Sequence, residues 1–593
     1  MLAAAPDVLA AATFLPHCKG ERVICRWVPK ESLGGEEPQE LRSWARELQI
    51  SDFLARLLWR RGLTTLKEMD VFLGPGLRHL EPLEAWPEVL SAANVLAQAL
   101  EKDPRVAVWG DYDVDGVTAS ALVLLFLRNR GISPQCHLPN RSEEGYGLNV
   151  AGVERLAEQG VQTLLTVDCG IADFEAVERA RELGMTVVVT DHHLPGQELP
   201  EAQAILNPRL GDSPYPNVAG VGTAFLLAAA LNRLLPGQQD DMRQYLDLVA
   251  LGTIADVVPL TPENRILVKN GLLLLGEARR PGIFALKEVS SLPPTAPMGS
   301  GQVGFSLAPR INAAGRLGSP RTALDLLLAP DLSTARPLAA ELEKLNKQRR
   351  GIEDDILDQA LEQARQQSDR AGLVLCDESW HQGVIGIVAS RVVERTNRPA
   401  LLLTRDGRQL KGSGRSIPEF DLFQGLTECS GVLSGFGGHK QAAGVKVEPD
   451  RVDELRQAFH AAVVSQIGLE PLDPRLKLEA VLGLNAVDVN LVKEIDLLQP
   501  FGPGNPQPVF RSRPLKVRKH QIFGKNHVSL EVRDEQAGVT MLGKAWRQAD
   551  RLKKDLTGQS VLFAFTPRLN HYNGMTSIDL QVRDLCLASE FQN

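Results

Sequence analysis

Short apolar runs alternate with amphipathic stretches through the first half of the chain. Leu54, Leu57 and Leu58 share one helical face, and Gly62 predicts a stop just beyond it. Arg105–Trp109 is an apolar run that gives way to acidic residues, and a helix is predicted from Thr118 to Leu127. Further apolar runs at Thr163–Val167 and Thr186–Thr190 bracket a helical pattern over Phe174–Leu183. Strands alternating with helices predict a parallel, doubly wound α/β sheet, in which a ligand sits beyond the carboxyl ends of the strands.

From Leu338 to Gln366 the spacing of Leu338, Leu342, Leu345, Ile352 and Ile356 predicts a long charged helix, interrupted at Gly351, that connects two lobes. A second α/β unit begins at Gly372–Cys376. Beyond the prolines at 471 and 474, alternating runs at His527–Val532 and Ser560–Phe565 predict a small β-barrel or sandwich. The expected domains are 1–100 (leader and helical region), 101–330, 331–370 (connecting helix), 371–470 and 471–593.

The length, 593 residues, demands several cores. A net charge of −8 does not advertise a nucleic-acid binder, but a channel needs only local Lys and Arg. Seven cysteines without a C-x-x-C pair argue against a disulfide framework and a zinc finger, and favour a reducing cytoplasm. Met1–Leu15 lacks a basic n-region, which argues against a signal peptide, and no apolar run is long enough to span a membrane.

Four clusters carry the chemistry. Gly110-Asp-Tyr-Asp-Val-Asp-Gly116 places Asp111, Asp113 and Asp115 close together after a strand, an arrangement that is repulsive without cations. The run mimics a calcium loop, but Leu122 occupies the position where that loop needs Glu. Val167-Asp-Cys-Gly170 and Thr190-Asp-His-His193 also follow strands, and Gly252-Thr-Ile-Ala-Asp-Val257 adds Asp256. Taken singly, each reads equally well as structure; a lone Asp at a strand end is usually a helix cap. Together they supply carboxylates and imidazoles from several strand ends, the ligand set of a two-metal hydrolytic site.

The order Asp-x-Asp, Asp-Cys-Gly, Asp-His-His, Gly-Thr-x-Ala-Asp resembles the DHH phosphoesterase superfamily, in the form found in the RecJ family. The resemblance implies that Asp113, Asp115, Asp168, His192 and Asp256 hold two divalent cations, Mn²⁺ or Mg²⁺. It places His193 and Asp111 in the catalytic set, His193 touching substrate or transferring a proton. Trp109 stands where many members carry a histidine, which leaves one metal held more weakly or by a substitute ligand.

Ala308–Arg316 gathers Arg310, Asn312 and Arg316 around a glycine and looks like the RecJ signature; Arg suits phosphate. Arg141 and Tyr146 are the expected backbone and stacking contacts. In the second lobe His381, Ser413, Arg415 and His439 lie in Gly-containing turns and loops that look like the DHHA1 domain, where the resemblance makes them substrate contacts. The basic run Arg511–His520, with Phe510 and Phe523, fits a single-strand groove and resembles an OB-fold.

The resemblance implies a 5′-to-3′ exonuclease of single-stranded DNA, threaded between the two lobes. It also implies a role in recombination and repair beside a single-strand-binding protein and a helicase, acting as a monomer. Two other functions share parts of the pattern. A DHH enzyme of cyclic dinucleotides or short oligonucleotides needs no basic β-domain, and a DNA-binding scaffold needs no intact ligand set.

Overall fold

The computed structural model describes residues 25–591 except 142–143, 471, 525 and 573–574. The leader, Met1–Leu15, lies outside the described residues. The chain forms two compact units. One comprises the residues up to Met69, Ile352–Leu498 and Gln507 onwards; the other comprises Asp70–Gly351 and Gln499–Pro506.

In the first unit the opening strand, β1 (Arg26–Pro29), pairs in parallel with Arg475–Leu478. The second unit is built on β2 (Val106–Gly110), β3 (Gln135–His137), β4 (Thr163–Val167), β5 (Thr186–Thr190) and β6 (Ala204–Leu206). These strands form an all-parallel sheet in the order β3-β2-β4-β5-β6. The sheet is buried on both faces. Val106, Val108, Leu165, Val167 and Val188 join the helices Pro87–Lys102, Val114–Asn129 and Gly220–Leu234 in one core. Ala107, Trp109, Leu164, Val187 and Val189 face a second core with the helices Val150–Glu158 and Phe174–Glu182. Strand order reverses beside β2, so the carboxyl ends of β2 and β4 open the crevice where such sheets bind ligands.

Three expectations change here. The helix Pro87–Lys102 packs into this sheet's core, so residues 70–100 are not part of a separate N-terminal region. Gln499–Pro506, inside the expected C-terminal domain, packs with this unit: Leu260 N donates to Pro503 O at 2.7 Å and Ser300 Oγ to Phe501 O at 2.6 Å. The connecting helix runs unbroken over Leu332–Gln366, because Gly351 costs helix propensity without obstructing the hydrogen bonds.

The first unit continues with β7 (Leu373–Cys376), β8 (Ala400–Asp406), β9 (Gln409–Arg415), β10 (Gly435–His439) and β11 (Ala442–Val447), ordered β10-β11-β9-β8-β7. The glycine-bearing segments 412–416 and 435–439, expected as loops, are largely strands. Gly412 and Gly414 sit under Leu403 and Leu401, where an added Cβ would lie 2.4 and 2.7 Å from those side chains.

After β12 (Arg475–Leu478), β13 (Ala480–Leu482) and β14 (Phe510–Ser512) come β15 (Leu515–Phe523), β16 (His527–Asp534), β17 (Val539–Ala545), β18 (Ser560–Tyr572) and β19 (Met575–Leu587). The pairings β15–β16–β17–β19–β18–β15 close a five-stranded barrel, the closure that defines an OB-fold. Phe510 is fully buried against Phe565 and cannot stack bases; its alternation along a short strand turns it inward. Phe523 remains at the hairpin end, beside His527 and Trp546.

Candidate metal centre

The acidic cluster assembles from loops and helix ends around the β2/β4 switch point. Asp113 is the N-cap of Val114–Asn129, its Oδ1 accepting from Asp115 N at 2.9 Å and Gly116 N at 3.1 Å. That helix begins four residues earlier than its apolar pattern suggests, because the cap lies inside the acidic run. Asp115 is buried, and both its oxygens accept from the N-terminus of Gly220–Leu234: Gly220 N at 2.6 Å and Val221 N at 2.9 Å. Asp168 follows β4 with φ +63° and caps no helix. Asp256 closes the helix Leu246–Ala255, not a strand, so the set does not come from strand ends alone.

These groups converge on His192. Its Nε2 lies 3.1 Å from Asp168 Oδ1, 3.6 Å from Asp256 Oδ2 and 3.7 Å from Asp115 Oδ2. Three overlapping sets could each hold an ion, with donor atoms mutually within 4.8 Å: Asp111, Asp113 and Asp168; Asp115, His192 and Asp256; Asp168, His192 and His193. Asp111 Oδ1, Asp168 Oδ1 and both ring nitrogens of His192 are buried with no hydrogen-bond partner among the described residues. Buried acceptors facing one another cost free energy unless a cation completes them. The donor set therefore fits divalent metal.

The electrostatics agree. Burial, then the charge of Asp113, pushes the Asp115 carboxyl up to about 7. Burial, then Asp115 and Asp113, pushes Asp256 up to about 9. Asp111 and Asp168 rise well above the usual carboxylate range, chiefly through burial. Burial, with the neighbouring His193, drives His192 down to about 3, leaving its imidazole neutral for a metal.

His193 behaves differently. Its Nδ1 lies 2.7 Å from Asp191 Oδ1 and 3.1 Å from the Tyr146 hydroxyl. Burial alone would lower it, but the hydrogen bond and charge of Asp191 outweigh that, with help from Asp256 and Asp113, and hold it at about 9. Asp191 is a functional residue the sequence reading passed over, although it stands in the Asp-His-His run. Its carboxylate also accepts from the backbone N–H groups of Ile171, His192 and His193.

A cavity of about 310 Å³ adjoins the cluster, lined by Asp111, Asp113 and His193 and by Tyr112, Arg141, Tyr146, Asn312 and Arg316. The Arg141 guanidinium lies 5.3 Å from the Tyr112 ring centroid. Burial, then Arg141 and Arg349, lowers Arg316 to about 10, still charged at neutral pH. Gly315 allows the helix Ala308–Leu317 to approach Tyr112, whose carbonyl oxygen an added Cβ would meet at 2.5 Å.

Arg310 does not reach this cavity. On a helix with about 100° per residue, Asn312 and Arg316 share a side and Arg310 faces roughly opposite. It pairs instead with Glu343 at 2.7 Å. Trp109 points into the second core, donating from Nε1 to Gly147 O at 3.2 Å, and gives no ligand.

In the other unit, His381 caps the helix Gln382–Thr396, its Nδ1 accepting from Gly383 N at 3.0 Å. Ala442 registers with both Arg415 and His439, so these two share one face of the sheet, with Ser413 two residues along. An added Cβ at Gly386 of that helix would lie 3.0 Å from Ser413 Oγ. The packing thus gathers three glycine-punctuated segments that lie far apart in sequence.

The sequence matches the DHH family, N-terminal domain, over residues 105–253, the DHHA1 domain over 369–465 and the RecJ OB domain over 478–584. It is 37% identical over 566 residues to the single-stranded-DNA-specific exonuclease RecJ of Dickeya dadantii, spanning 91% of this chain and 97% of that protein. The chain belongs to the RecJ family. The Bacillus subtilis RecJ is 34% identical over 94% of this chain and 70% of its own. Thermus thermophilus RecJ, solved with Mn²⁺, superposes with a TM-score of 0.79 at 32% identity, covering 95% of this chain and 80% of that one. A manganese-bound exonuclease RecJ superposes with a TM-score of 0.56 at 36% identity, over 65% and 98% of the two chains.

Proposed function

We propose that this RecJ-family chain is a metal-dependent exonuclease that hydrolyses single-stranded DNA from the 5′ end. The observation that carries the reading is the convergence of Asp115, Asp168 and Asp256 on His192, with buried oxygens and nitrogens that no described residue satisfies. Asp113, Asp115, Asp168, His192 and Asp256 would hold two divalent cations, with Asp111 in place of the histidine that Trp109 displaces. Bound Mn²⁺ or Mg²⁺ supplies Lewis acidity and lowers the pKa of water.

The remaining chemistry belongs to side chains. Arg141 and Arg316 neutralise a phosphate in the cavity, and Asn312 donates to it. Tyr146 shapes the wall beside His193. Asp191 fixes the proton on His193 Nδ1, which leaves Nε2 to donate a proton to the departing 3′ oxygen. Ser413, Arg415, His439 and the helix end at His381 offer hydroxyl, guanidinium, imidazole and backbone N–H groups to the strand's phosphates.

Family membership further supports a role in recombination and repair beside a single-strand-binding protein and a helicase, as a cytoplasmic monomer. Among the described residues no helix is long and apolar enough to cross a membrane. Digestion of strands labelled at the 5′ or the 3′ end, with Mn²⁺ or EDTA and with dinucleotides alongside, tests the proposal. Loss of the 5′ label first, only with metal, is expected; equal rates with EDTA, or action on dinucleotides alone, would overturn it.

A further inference from the structure

Two unusual backbone segments present apolar side chains to solvent on elements that build the site. Val257 follows Asp256 with φ +64°, a conformation that β-branched residues avoid, and the residue is 63% exposed. Phe305 is 83% exposed and sits in a π-helical turn, Val303–Leu307. π-turns are rare and recur at functional sites. Neither feature serves the core. An exposed phenyl ring loses the burial that would reward it, and a strained φ such as that of Val257 persists only where the surroundings impose it.

Both segments belong to the elements that build the site. The π-turn runs directly into Ala308–Leu317, the helix that carries Asn312 and Arg316. The turn also packs on the helix that ends at Asp256: an added Cβ at Gly304 would touch Ile254 Cγ2 at 3.7 Å. Ala255, between Ile254 and Asp256, lines the cavity itself. Val257 thus stands two residues from the cavity wall and the π-turn packs on the same helix end, while the cavity itself is lined mainly by charged and polar groups, with Tyr112 and Tyr146 among them. An unstacked base of a single strand needs an apolar face, and aromatic rings supply it without regard to sequence.

We propose that Phe305 and Val257 form the apolar wall on which a nucleobase of the bound strand stacks where the strand meets the acidic cavity. The proposal rests on the single-stranded-DNA reading above and adds a base contact to it. Stacking on Phe305 would hold the strand in line without choosing among bases. It would also disfavour a paired strand, whose bases are already stacked.

The test is a cycle between the side chain and the base. Fluorescence anisotropy would measure binding of the full chain, in EDTA, to a labelled oligo(dT) and to the same strand with abasic sites at its first 5′ positions. Phe305→Ala should weaken oligo(dT) binding by roughly 5- to 150-fold, the range for one lost base–aromatic stack, and should weaken abasic-strand binding far less. Phe305→Trp should restore affinity, with tryptophan fluorescence quenched on binding. Val257→Gly, which relieves the positive φ, should raise the thermal midpoint while weakening oligo(dT) binding. Equal affinities for wild type and Phe305→Ala, or equal losses on both strands, would overturn the proposal. The nuclease reading is judged separately by Mn²⁺-dependent release from the wild type: a protein that binds but never cuts sinks that reading alone, and a flat binding series sinks the stacking wall alone.

Discussion

Asp191 holds His193 by the ring, Oδ1 to Nδ1 at 2.7 Å, and the same oxygen accepts the backbone N–H of both His192 and His193. One buried carboxylate therefore sets the tautomer of the proton donor and the path of the backbone that carries His192. Asp191→Asn keeps the shape but loses the charge. We expect kcat to fall roughly 10- to 100-fold, as when partners that orient site residues are lost. The alkaline limb of the pH–rate profile should move to lower pH, because the hydrogen bond that raises His193 to about 9 is weakened. An unmoved limb would remove His193 from the acid role.

Without metal, Asp115 and Asp256 have folded-state values of about 7 and 9, above the ~3.9 of a free Asp. The folded state then binds more protons than the unfolded chain across that window. Stability of the metal-free protein is fully present below about pH 4 as far as these groups are concerned, and falls as pH rises toward 9. Metal must displace the same protons, so stabilisation by Mn²⁺ should grow with pH; at a hundredfold excess over Kd it reaches ~2.7 kcal/mol. Thermal melts at pH 6, 7.5 and 9, with EDTA or Mn²⁺, check both slopes.

The two arginines of Ala308–Leu317 should fail differently. Arg310→Ala leaves Glu343, whose side chain is 17% exposed, with the exposed Lys347 at 3.4 Å, and should cost stability of roughly 1–3 kcal/mol, below the loss of a fully buried pair. Arg316→Ala should leave the melting temperature closer to wild type and lower kcat/KM on single strands. Denaturant titration beside the nuclease assay separates them; matching losses in both would contradict the helical phase.

Gly252→Ala would bring a Cβ within 2.3 Å of Thr118 Oγ1 and 2.8 Å of Asp115 Oδ1. A stability loss of about 1–3 kcal/mol follows from overpacking, together with weakened Mn²⁺ affinity, because Asp115 must move. Gly351→Ala meets nothing within 4 Å inside a continuous helix and should instead stabilise by roughly 0.5–1 kcal/mol. Calorimetry and Mn²⁺ titration of the two variants distinguish site crowding from a general effect of added methyls.

The chain's pattern alone determined the elements and the chemistry they carry. Val106, Val108, Leu164 and Val187 read as buried parallel strands because both faces of such a sheet are apolar, and Asp-x-Asp, Asp-Cys-Gly and Asp-His-His stood out because carboxylates seldom crowd without cations. Tertiary structure decided what local pattern cannot encode. Helical phase sent Arg310 to Glu343 and Arg316 to the cavity, though they are six residues apart. A helix N-terminus more than a hundred residues away supplied the amides that hold Asp115, and Gly412 and Gly414 belong to a strand where Leu403 and Leu401 occupy the space a side chain would need. Asp191 and Phe305 gained their meaning only from what stands beside them, since a side chain's role follows from its neighbours in space, and those are fixed by the packing of segments far apart in sequence.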